Sequence, residues 1–221
     1  MRADDESALP ASRLIVCPKP ELRVRYEAFA PRYDRAEWLP EVLGLRALRR
    51  RLFARARGKV LEVAVGTGKN FPFYPTGSDV TGVDLSPAML RVAGKRAAAI
   101  PFSVQLLEMD AECLDFEDAS FDTVTTSLTL CTFPEPLLAL REMARVCRPS
   151  GRILLLEHGR SDRGGLARWQ DRRAEAHARP LGCQWNRDPL ALAQAAGLAV
   201  RASERVFFGV FHLIEAAPLV R

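Results

Sequence analysis

Short apolar runs alternate with amphipathic stretches along most of this chain. The run at 60–65 is mostly β-branched and apolar and contains one acid, which is typical of a strand buried on both faces of a parallel sheet. Similar runs predict strands at 79–83, 102–109, 121–128 and 152–157, and two closing strands at 198–206 and 207–216. Because strands that alternate with helices require right-handed crossovers, the pattern predicts an α/β fold with a mostly parallel sheet.

Two amphipathic segments precede the first strand. The segment 21–33 places Tyr26, Phe29 and Tyr33 on one helical face. The segment 41–57 repeats apolar residues on one stripe (Val42, Leu45, Leu48, Leu52 and Ala56) and arginines on the other (Arg46, Arg49, Arg50, Arg55 and Arg57). Such a basic face can bind weakly to an anionic membrane surface or a nucleic acid, but it is more often a solvated face, which is the interpretation we favour.

Shorter helices are predicted between the strands. Gly68 to Phe73 opens a helix that Pro72 and Pro75 keep short. Ser86 followed by Pro87 is a good helix start, with serine as the N-cap residue. Further helices are predicted at 136–147 and 188–196, whereas 160–188 is the least regular part of the chain.

Composition predicts one globular domain in a reducing compartment. The chain has 221 residues, a formal net charge of +5 and five scattered cysteines without a C-x-x-C pair, which argues against a zinc site and for reduced thiols in the cytoplasm. Residues 1–20 read as a loose polar tail, and the acids Asp4, Asp5 and Glu6 do not suit a signal peptide. No apolar run is long enough to span a bilayer.

A ligand-binding turn follows the first strand. Gly66 and Gly68 let the backbone bend sharply and approach a ligand, and Asp84 at the tip of the second strand can accept hydrogen bonds from a ribose. A dinucleotide motif would place a third glycine where Phe71 stands, and Lys69 is followed by Asn70 instead of the serine or threonine of a P-loop. These residues favour a ligand that has a ribose and no phosphates.

The motifs in their order resemble those of class I S-adenosylmethionine (SAM) methyltransferases. The resemblance rests on the segments 62–68, 83–90, 109–112 and 120–124 and covers about 60–157. It implies a Rossmann-like three-layer sandwich with a seven-stranded, mostly parallel sheet and an antiparallel last strand. It also implies SAM as cofactor and S-adenosylhomocysteine as product. The family usually has glycine where Ala64 stands, and alanine is the mildest replacement.

The same resemblance assigns cofactor contacts residue by residue. Asp84 would bind the ribose, Asp110 and the Ala111 backbone the adenine, and Met89 would lie under the adenine ring. Asn70 would lie near the methionine end. The full set of expected cofactor-binding residues is Glu62, Ala64, Gly66, Thr67, Gly68, Asn70, Asp84, Leu85, Met89, Asp110, Ala111, Glu112, Ser127 and Leu128.

Resemblances outside the central motifs concern the acceptor. The segment 25–34, which ends in Tyr33-Asp34, looks like the N-terminal helix of ubiquinone-biosynthesis-type methyltransferases, so 21–57 would form a lid and Tyr33 would contact the reacting groups. The segments 157–159 and 181–188 resemble methyltransferase-like thiol S-methyltransferases, which makes 158–188 a substrate-covering insertion. His158, at the reactive edge of the sheet, could move a proton or bond the backbone.

Several functions therefore remain open at the level of the sequence. The first is a methyltransferase for a small, fairly apolar acceptor such as a thiol, and the second is a phospholipid N-methyltransferase at a membrane surface. A nucleic-acid-binding protein and a non-catalytic SAM-binding regulator are the alternatives from other classes. Ser127-Leu128-Thr129-Leu130 stands where base amino-methyltransferases place Asn/Asp-Pro-Pro-aromatic, which argues against a nucleic-acid substrate. No metal ligands are expected, and the oligomeric state is left open.

Overall fold

A seven-stranded sheet forms the centre of the protein in a computed structural model that describes residues 17–219. The strands are β1 Lys59–Val63, β2 Asp79–Asp84, β3 Val104–Glu108, β4 Phe121–Ser127, β5 Cys147–His158, β6 Leu198–Val206 and β7 Phe211–Pro218. Their order is β3-β2-β1-β4-β5-β7-β6. Only β7 runs against its neighbours β5 and β6 in this sheet. The predicted mostly parallel sheet with an antiparallel last strand is confirmed.

The helices lie on both faces of the sheet. They are α1 Lys19–Ala36, α2 Trp38–Pro40, α3 Arg46–Phe53, α4 Pro87–Ala97, α5 Pro136–Val146, α6 Gly164–Leu181 and α7 Pro189–Ala195. A π-helical turn, Glu41–Leu45, joins α2 to α3, and a 3-10 turn, Phe71–Phe73, follows the glycine turn. The predicted short helix after Gly68 is therefore a single turn.

Two apolar cores separate the three layers. Leu48 and Leu52 of α3 pack with Val60, Leu154 and Leu156 on one face of the sheet. On the other face, α5 and α7 pack against strand residues whose side chains point to that face. The helix residues are Leu140, Met143 and Ala193, and the strand residues are Leu61, Val63, Ile153 and Leu155. Because successive strand residues point to opposite faces, the continuous apolar runs supply both cores at once. The result is the predicted three-layer sandwich, with the sheet between two layers of helices.

The basic segment before β1 differs from its prediction in two ways. Gly44, at φ +138°, interrupts the expected helix, because only glycine adopts this conformation readily. As a result Val42 is exposed, although Leu45, Leu48, Leu52 and Ala56 are buried as predicted. Arg49, assigned to the solvated face, has only 3% of its surface exposed. It points into the protein and contributes to the cleft described below.

The stretch 160–188, predicted to be irregular, contains the 18-residue helix α6. The prediction is wrong here because the helix is mostly polar, with Ala167, Gln170 and Ala178 as its buried side chains. Gly182 ends the helix in the left-handed conformation at φ +72°. Asp188 then caps α7 by accepting hydrogen bonds from the backbone N–H groups of Leu190 and Ala191.

The N-terminal boundary stays partly a prediction. Residues 1–16, which hold most of the expected loose tail and its three acids, lie outside the described residues. Cys17 is buried and α1 begins at Lys19, so the last part of that stretch belongs to the folded domain.

Gly68, in the turn after β1, leaves no room for a side chain. Gly68 has φ +74°, and a Cβ there would lie 2.3 Å from the fully buried Phe71 ring. We expect Gly68→Ala to lower the free energy of unfolding by roughly 1–3 kcal/mol, because it combines left-handed strain with overpacking. Urea unfolding measures the change.

Ala64→Gly is the matched control, since Ala64 already has φ +53°. Relief of strain and the greater entropy of the unfolded chain offset each other there, so the change should stay below ~1 kcal/mol. Equal destabilisation by the two substitutions would contradict this explanation of the turn.

Candidate functional site: a cleft at the switch point of the sheet

A cleft with an empty volume of about 950 Å³, its open mouth included, lies at the carboxyl ends of β1, β2 and β4. The strand order reverses between β1 and β4, which pair in parallel, and the chain runs outward from there in both directions. Open α/β sheets bind ligands at this kind of switch point. Residues after β3 line one end of the cleft, and α1 together with Arg49 of α3 lines it from the side of the N-terminal helices.

The glycine turn and the tip of β2 are joined by a carboxylate. Asp84 accepts hydrogen bonds from the Gly66 N–H and from the Ser86 N–H, both at 2.8 Å. A Cβ on Gly66 would meet no atom within 4 Å, so the backbone here faces open space in the cleft. The turn therefore offers a bare backbone surface beside a carboxylate.

The backbone is also left-handed just after β1 and just after β4, at two residues that line the cleft. Ala64 has φ +53° and Leu128 has φ +59°, and neither is glycine. Such conformations cost about 1–3 kcal/mol and cluster where a fold must aim a backbone at a ligand. The Leu128 N–H donates to the Leu156 carbonyl at 2.8 Å, which fixes this conformation at the end of β4.

One end of the cleft is acidic. Asp110 follows β3, and its carboxylate accepts the Glu112 N–H at 2.9 Å. Lys19 of α1 contacts both acids, at 2.6 Å from Asp110 and 2.7 Å from Glu112. The first turn of α1 is thereby fixed against this end.

The opposite end carries a buried network that contains both signs of charge. The Arg49 guanidinium donates to Asn70 Oδ1 at 2.7 Å and to Ser127 Oγ at 2.8 Å. The Asn70 amide in turn donates to Glu62 Oε1 at 2.8 Å. Tyr74 donates its hydroxyl to the other oxygen of Glu62, also at 2.8 Å. Residues from three separate parts of the chain are thus held in one orientation.

Burial sets the ionisation of the cleft acids. It raises the pKa of Glu62 to about 7, against the hydrogen bonds from Tyr74 and Asn70 that lower it. It raises the pKa of Asp84 to about 6, although backbone hydrogen bonds from Ser86 and Gly66 favour the charged form. Desolvation is the dominant cause in both cases. Both carboxyl groups therefore titrate close to neutral pH.

The second half of α1 covers the glycine turn. Asp34 accepts hydrogen bonds from Thr67 Oγ1 at 2.7 Å and from the Arg96 guanidinium at 2.6 Å. Arg96 also bonds the Thr67 carbonyl, which links α1, the turn and α4. Tyr33 lines the cleft, and burial raises its pKa far above the usual range for a phenol. Its hydroxyl therefore stays protonated at neutral pH.

Comparison with known proteins identifies the domain. Residues 61–155 match the family whose description is "Methyltransferase domain". This segment contains most of β1, the glycine turn, Asp84, Asp110 and β4, which form the sheet side of the cleft. It has the class I methyltransferase fold. Its cofactor is S-adenosylmethionine.

Curated relatives carry related names. The chain is 42% identical over 112 residues to a phosphatidylethanolamine N-methyltransferase of Cereibacter sphaeroides, covering 50% of this chain and 55% of that protein. It is 38% identical over 145 residues to a demethylmenaquinone methyltransferase of Renibacterium salmoninarum, covering 62% of this chain and 58% of that protein. The chain thus spans little more than half the length of these relatives.

Solved structures share the fold. A SAM-dependent methyltransferase of Thermotoga maritima, described as a possible histamine N-methyltransferase, has a TM-score of 0.66 at 22% identity and covers 89% of this chain and 99% of its own. A geranyl diphosphate C-methyltransferase of Streptomyces coelicolor, solved with S-adenosylhomocysteine, has a TM-score of 0.64 at 16% identity, covering 78% and 79%. At these identities the likeness concerns the methyltransferase fold alone.

The chemistry of the cleft fits the cofactor. Asp84 and the open backbone at Gly66 suit a ribose, and Asp110 is an acceptor for an exocyclic amine. The amino-acid end of SAM carries one ammonium and one carboxylate, and the network at the other end presents Glu62 and Arg49. The cleft therefore matches a zwitterion at one end and an adenosine at the other.

The structure brings nearly all expected cofactor residues of the methyltransferase domain to this cleft. Those that line it are Glu62, Ala64, Gly66, Thr67, Asn70, Asp84, Leu85, Met89, Asp110, Ala111, Glu112, Ser127 and Leu128. Among the described residues, Gly68 and His158 are the two expected site residues that do not line it. Gly68 instead lies against Phe71, and His158 contacts Cys183.

Sequence reasoning missed several residues of the lining. Arg49 lies before the matched segment and reads as one of many surface arginines. The sequence gives Tyr26 a place on a helical face without a role, and it predicts Lys19 as part of the tail. The signal that indicates Arg49 is its spacing, since it lies four residues after Leu45 and three before Leu52 and so borders the apolar stripe. All three of these residues line the cleft.

SAM binding should weaken as the pH falls through about 6. The carboxylate of Asp84, with a pKa of about 6, loses its charge there, and a protonated acid accepts fewer hydrogen bonds from a ribose. Calorimetric titration with SAM between pH 8 and pH 5 would show this decline, with Asp84→Asn as control. The control should bind weakly throughout and vary less with pH. A wild-type affinity that is constant over this range would contradict the assignment.

Arg49→Met should weaken SAM binding at least about tenfold. The substitution removes charge-assisted hydrogen bonds, each of which contributes about 1.5–3 kcal/mol, from the end of the cleft that suits the amino-acid group. Arg50→Met is the matched control, because Arg50 is the next residue of the same helix and is exposed. Calorimetry measures both variants. Equal losses of SAM affinity in the two variants would contradict the placement of Arg49 in the cofactor site.

Proposed function

We propose that this chain transfers the methyl group of SAM to a small, mainly apolar acceptor, and that a thiol is one acceptor of that class. The observation that carries the proposal is the apolar part of the cleft wall. It is formed by Leu22, Tyr26, Met109 and Phe133. These side chains present apolar surface and a phenol without an added carboxylate or amine.

The names of the relatives support an acceptor with apolar parts. One relative is named for a phospholipid and the other for a quinone. Since the chain spans only 55% and 58% of those two proteins, their acceptors are a guide to chemical class alone. Apolar character is what these two named acceptors share, and it fits the apolar part of the wall of this cleft.

In methyl transfer, the main role of the protein is to position SAM and the acceptor. The sulfonium of SAM already activates its methyl group, so the reaction is an in-line displacement by the acceptor atom. The ion pairs of Lys19 with Asp110 and Glu112 and the bonds of Asp34 with Thr67 and Arg96 hold α1 over the cleft. A covered cleft excludes water and keeps the two reactants aligned. A thiol with a pKa near 8.5 needs little help to lose its proton.

A methyl-transfer screen tests this function. Purified protein with SAM labelled at the methyl group should methylate alkyl or aryl thiols faster than phenols, and small polar amines least, because the wall offers those amines no carboxylate. At a subsaturating SAM concentration, the Arg49→Met variant should lose most of its turnover with every acceptor. Methylation restricted to small polar amines, or turnover at the wild-type rate in this variant under the same conditions, would overturn the proposal.

A phospholipid amine is the second candidate, and one surface feature favours it. We define the apolar tip as Trp38, Leu39, Val42 and Leu43, whose exposed fractions are 62%, 54%, 62% and 66%. Exposed Arg35 and Arg46 flank the tip in the sequence. Apolar side chains beside arginines are typical of surfaces that bind anionic lipid bilayers. Among residues 17–219, no helix has the length and apolar character needed to cross a membrane.

The apolar tip gives a direct test of membrane contact. The double variant Trp38→Ala/Leu43→Ala should bind vesicles of phosphatidylglycerol and phosphatidylethanolamine several-fold more weakly, because it removes the largest and the most exposed side chain of the tip. Leu138→Ala, a change at an exposed leucine of α5, is the control and should bind like the wild type. Sedimentation with vesicles measures binding. Equal vesicle binding by all three proteins would remove this candidate.

A further inference from the structure

Three metal-ligating side chains converge behind the cleft. The sulfur atoms of Cys131 and Cys183 and a ring nitrogen of His158 all lie within 4.8 Å of one another. Cys183 Sγ is 3.4 Å from His158 Nε2. We call these three residues the Cys-His-Cys cluster. Cys131 has 2% of its surface exposed, and the other two are partly buried.

The backbone holds these side chains together independently of the thiols. The Gln184 N–H donates to the Cys131 carbonyl at 2.8 Å, which places Cys183 beside Cys131. Arg187 donates to the carbonyls of Leu130 and Phe133 at 2.5 and 2.8 Å, which fixes the same two loops against each other. The cluster is therefore part of the fold.

A buried carboxylate anchors the loop that carries Cys131. Glu157, fully buried, accepts the backbone N–H groups of Thr129 and Leu130 at 2.9 and 3.2 Å. Glu157 directly precedes His158 at the end of β5. Two members of the Cys-His-Cys cluster are thus held through one side chain, and Gly182 turns the chain to present the third.

Another buried cysteine shows what ordinary core packing looks like in this protein. Cys147 is 2% exposed, and its sulfur contacts the backbone carbonyls of Arg148 and Arg152. The Cys131 sulfur also contacts one backbone carbonyl, that of Leu128, but unlike Cys147 it has a second thiol and a histidine within 4.8 Å. Two thiols and an imidazole are ligands that zinc prefers, and scattered cysteines can provide them without a C-x-x-C motif.

The distances suit a tetrahedral ion. With zinc–sulfur bonds of about 2.3 Å and zinc–nitrogen bonds of about 2.0–2.1 Å, a sulfur and a nitrogen ligand lie about 3.5 Å apart. The separation of Cys183 Sγ from His158 Nε2 is 3.4 Å. All three ligand atoms lie within 4.8 Å of one another, so a contraction of roughly 1 Å or less brings them to the spacing of a tetrahedral zinc site.

The surroundings place the cluster between the cleft and the surface. Tyr26, which lines the cleft, is linked by a side-chain hydrogen bond to Thr132, the residue after Cys131. On the outer side His177 stacks on Trp185 with ring centroids 3.9 Å apart. An ion here would lie one side chain away from the proposed methyl-transfer site.

We propose that Cys131, His158 and Cys183 bind one zinc ion or a similar thiophilic divalent cation. Three protein ligands leave a fourth position for an exchangeable ligand, which is typical of zinc sites that do more than hold a fold together. The cation would keep both thiols as thiolates. The site stands on these three side chains and does not depend on which acceptor is methylated.

Metal analysis and cobalt spectroscopy test the site without SAM or an acceptor. Protein purified without chelators should contain an equimolar amount of zinc by mass spectrometry of the metal. After zinc removal, added Co²⁺ should give the visible bands of a tetrahedral ion and a near-ultraviolet sulfur-to-cobalt charge-transfer band. Cys183→Ser should lose most of the bound zinc and weaken that band.

Cys113→Ser is the matched control, because Cys113 is an exposed cysteine outside the cluster, and it should keep both signals. Circular dichroism establishes that the variants fold, and the wild-type measurement stands without them. A wild-type protein without zinc whose Co²⁺ complex lacks the charge-transfer band would overturn the proposal. So would Cys183→Ser protein that binds zinc as the wild type does. Either failure leaves the proposed methyl transfer untouched.

Discussion

The carboxylate of Asp84 joins the two strand tips on which the cleft depends. It accepts the Gly66 N–H across the gap between β1 and β2 and the Ser86 N–H at the start of α4. These bonds fix the glycine turn with its bare backbone toward the cleft and hold a buried acid beside it, an arrangement that suits a ribose. The acidic end and the charged network are then positioned by the neighbouring strands β3 and β4.

The N-terminal helices complete a cleft that the sheet alone leaves open. Lys19 and Asp34 fix the two ends of α1, and Arg49 reaches from α3 to Asn70 and Ser127. These polar contacts add to apolar packing, because Ala30 of α1 packs with Ala88 and Met89 of α4 and α3 packs on the sheet through Leu48 and Leu52.

The sequence predicted the parts of the site that lie within one motif. Glycine turns, strand-tip acids and helix caps have local signatures, so Gly66, Asp84, Asp110 and the N-cap Ser86 could be placed from neighbouring residues alone. Arg49 could not, because its partners Asn70 and Ser127 are distant along the chain. The sequence predicts that Gly68 contacts the ligand, whereas in the structure glycine is required there because a side chain would collide with the Phe71 ring. Helix α6 has no signature in the sequence because its buried face is narrow and carries no large apolar side chain. The Cys-His-Cys cluster has none because its members come from the loop after β4, the end of β5 and the turn after α6, which are far apart in the sequence.

A crystal structure of the protein with S-adenosylhomocysteine tests the central claim most directly. The account predicts the ribose hydroxyls on Asp84, the adenine beside Asp110, and the amino-acid end within hydrogen-bonding distance of the network that contains Glu62 and Arg49. A ligand bound in the reverse direction, or bound away from the Gly66 turn, would contradict it.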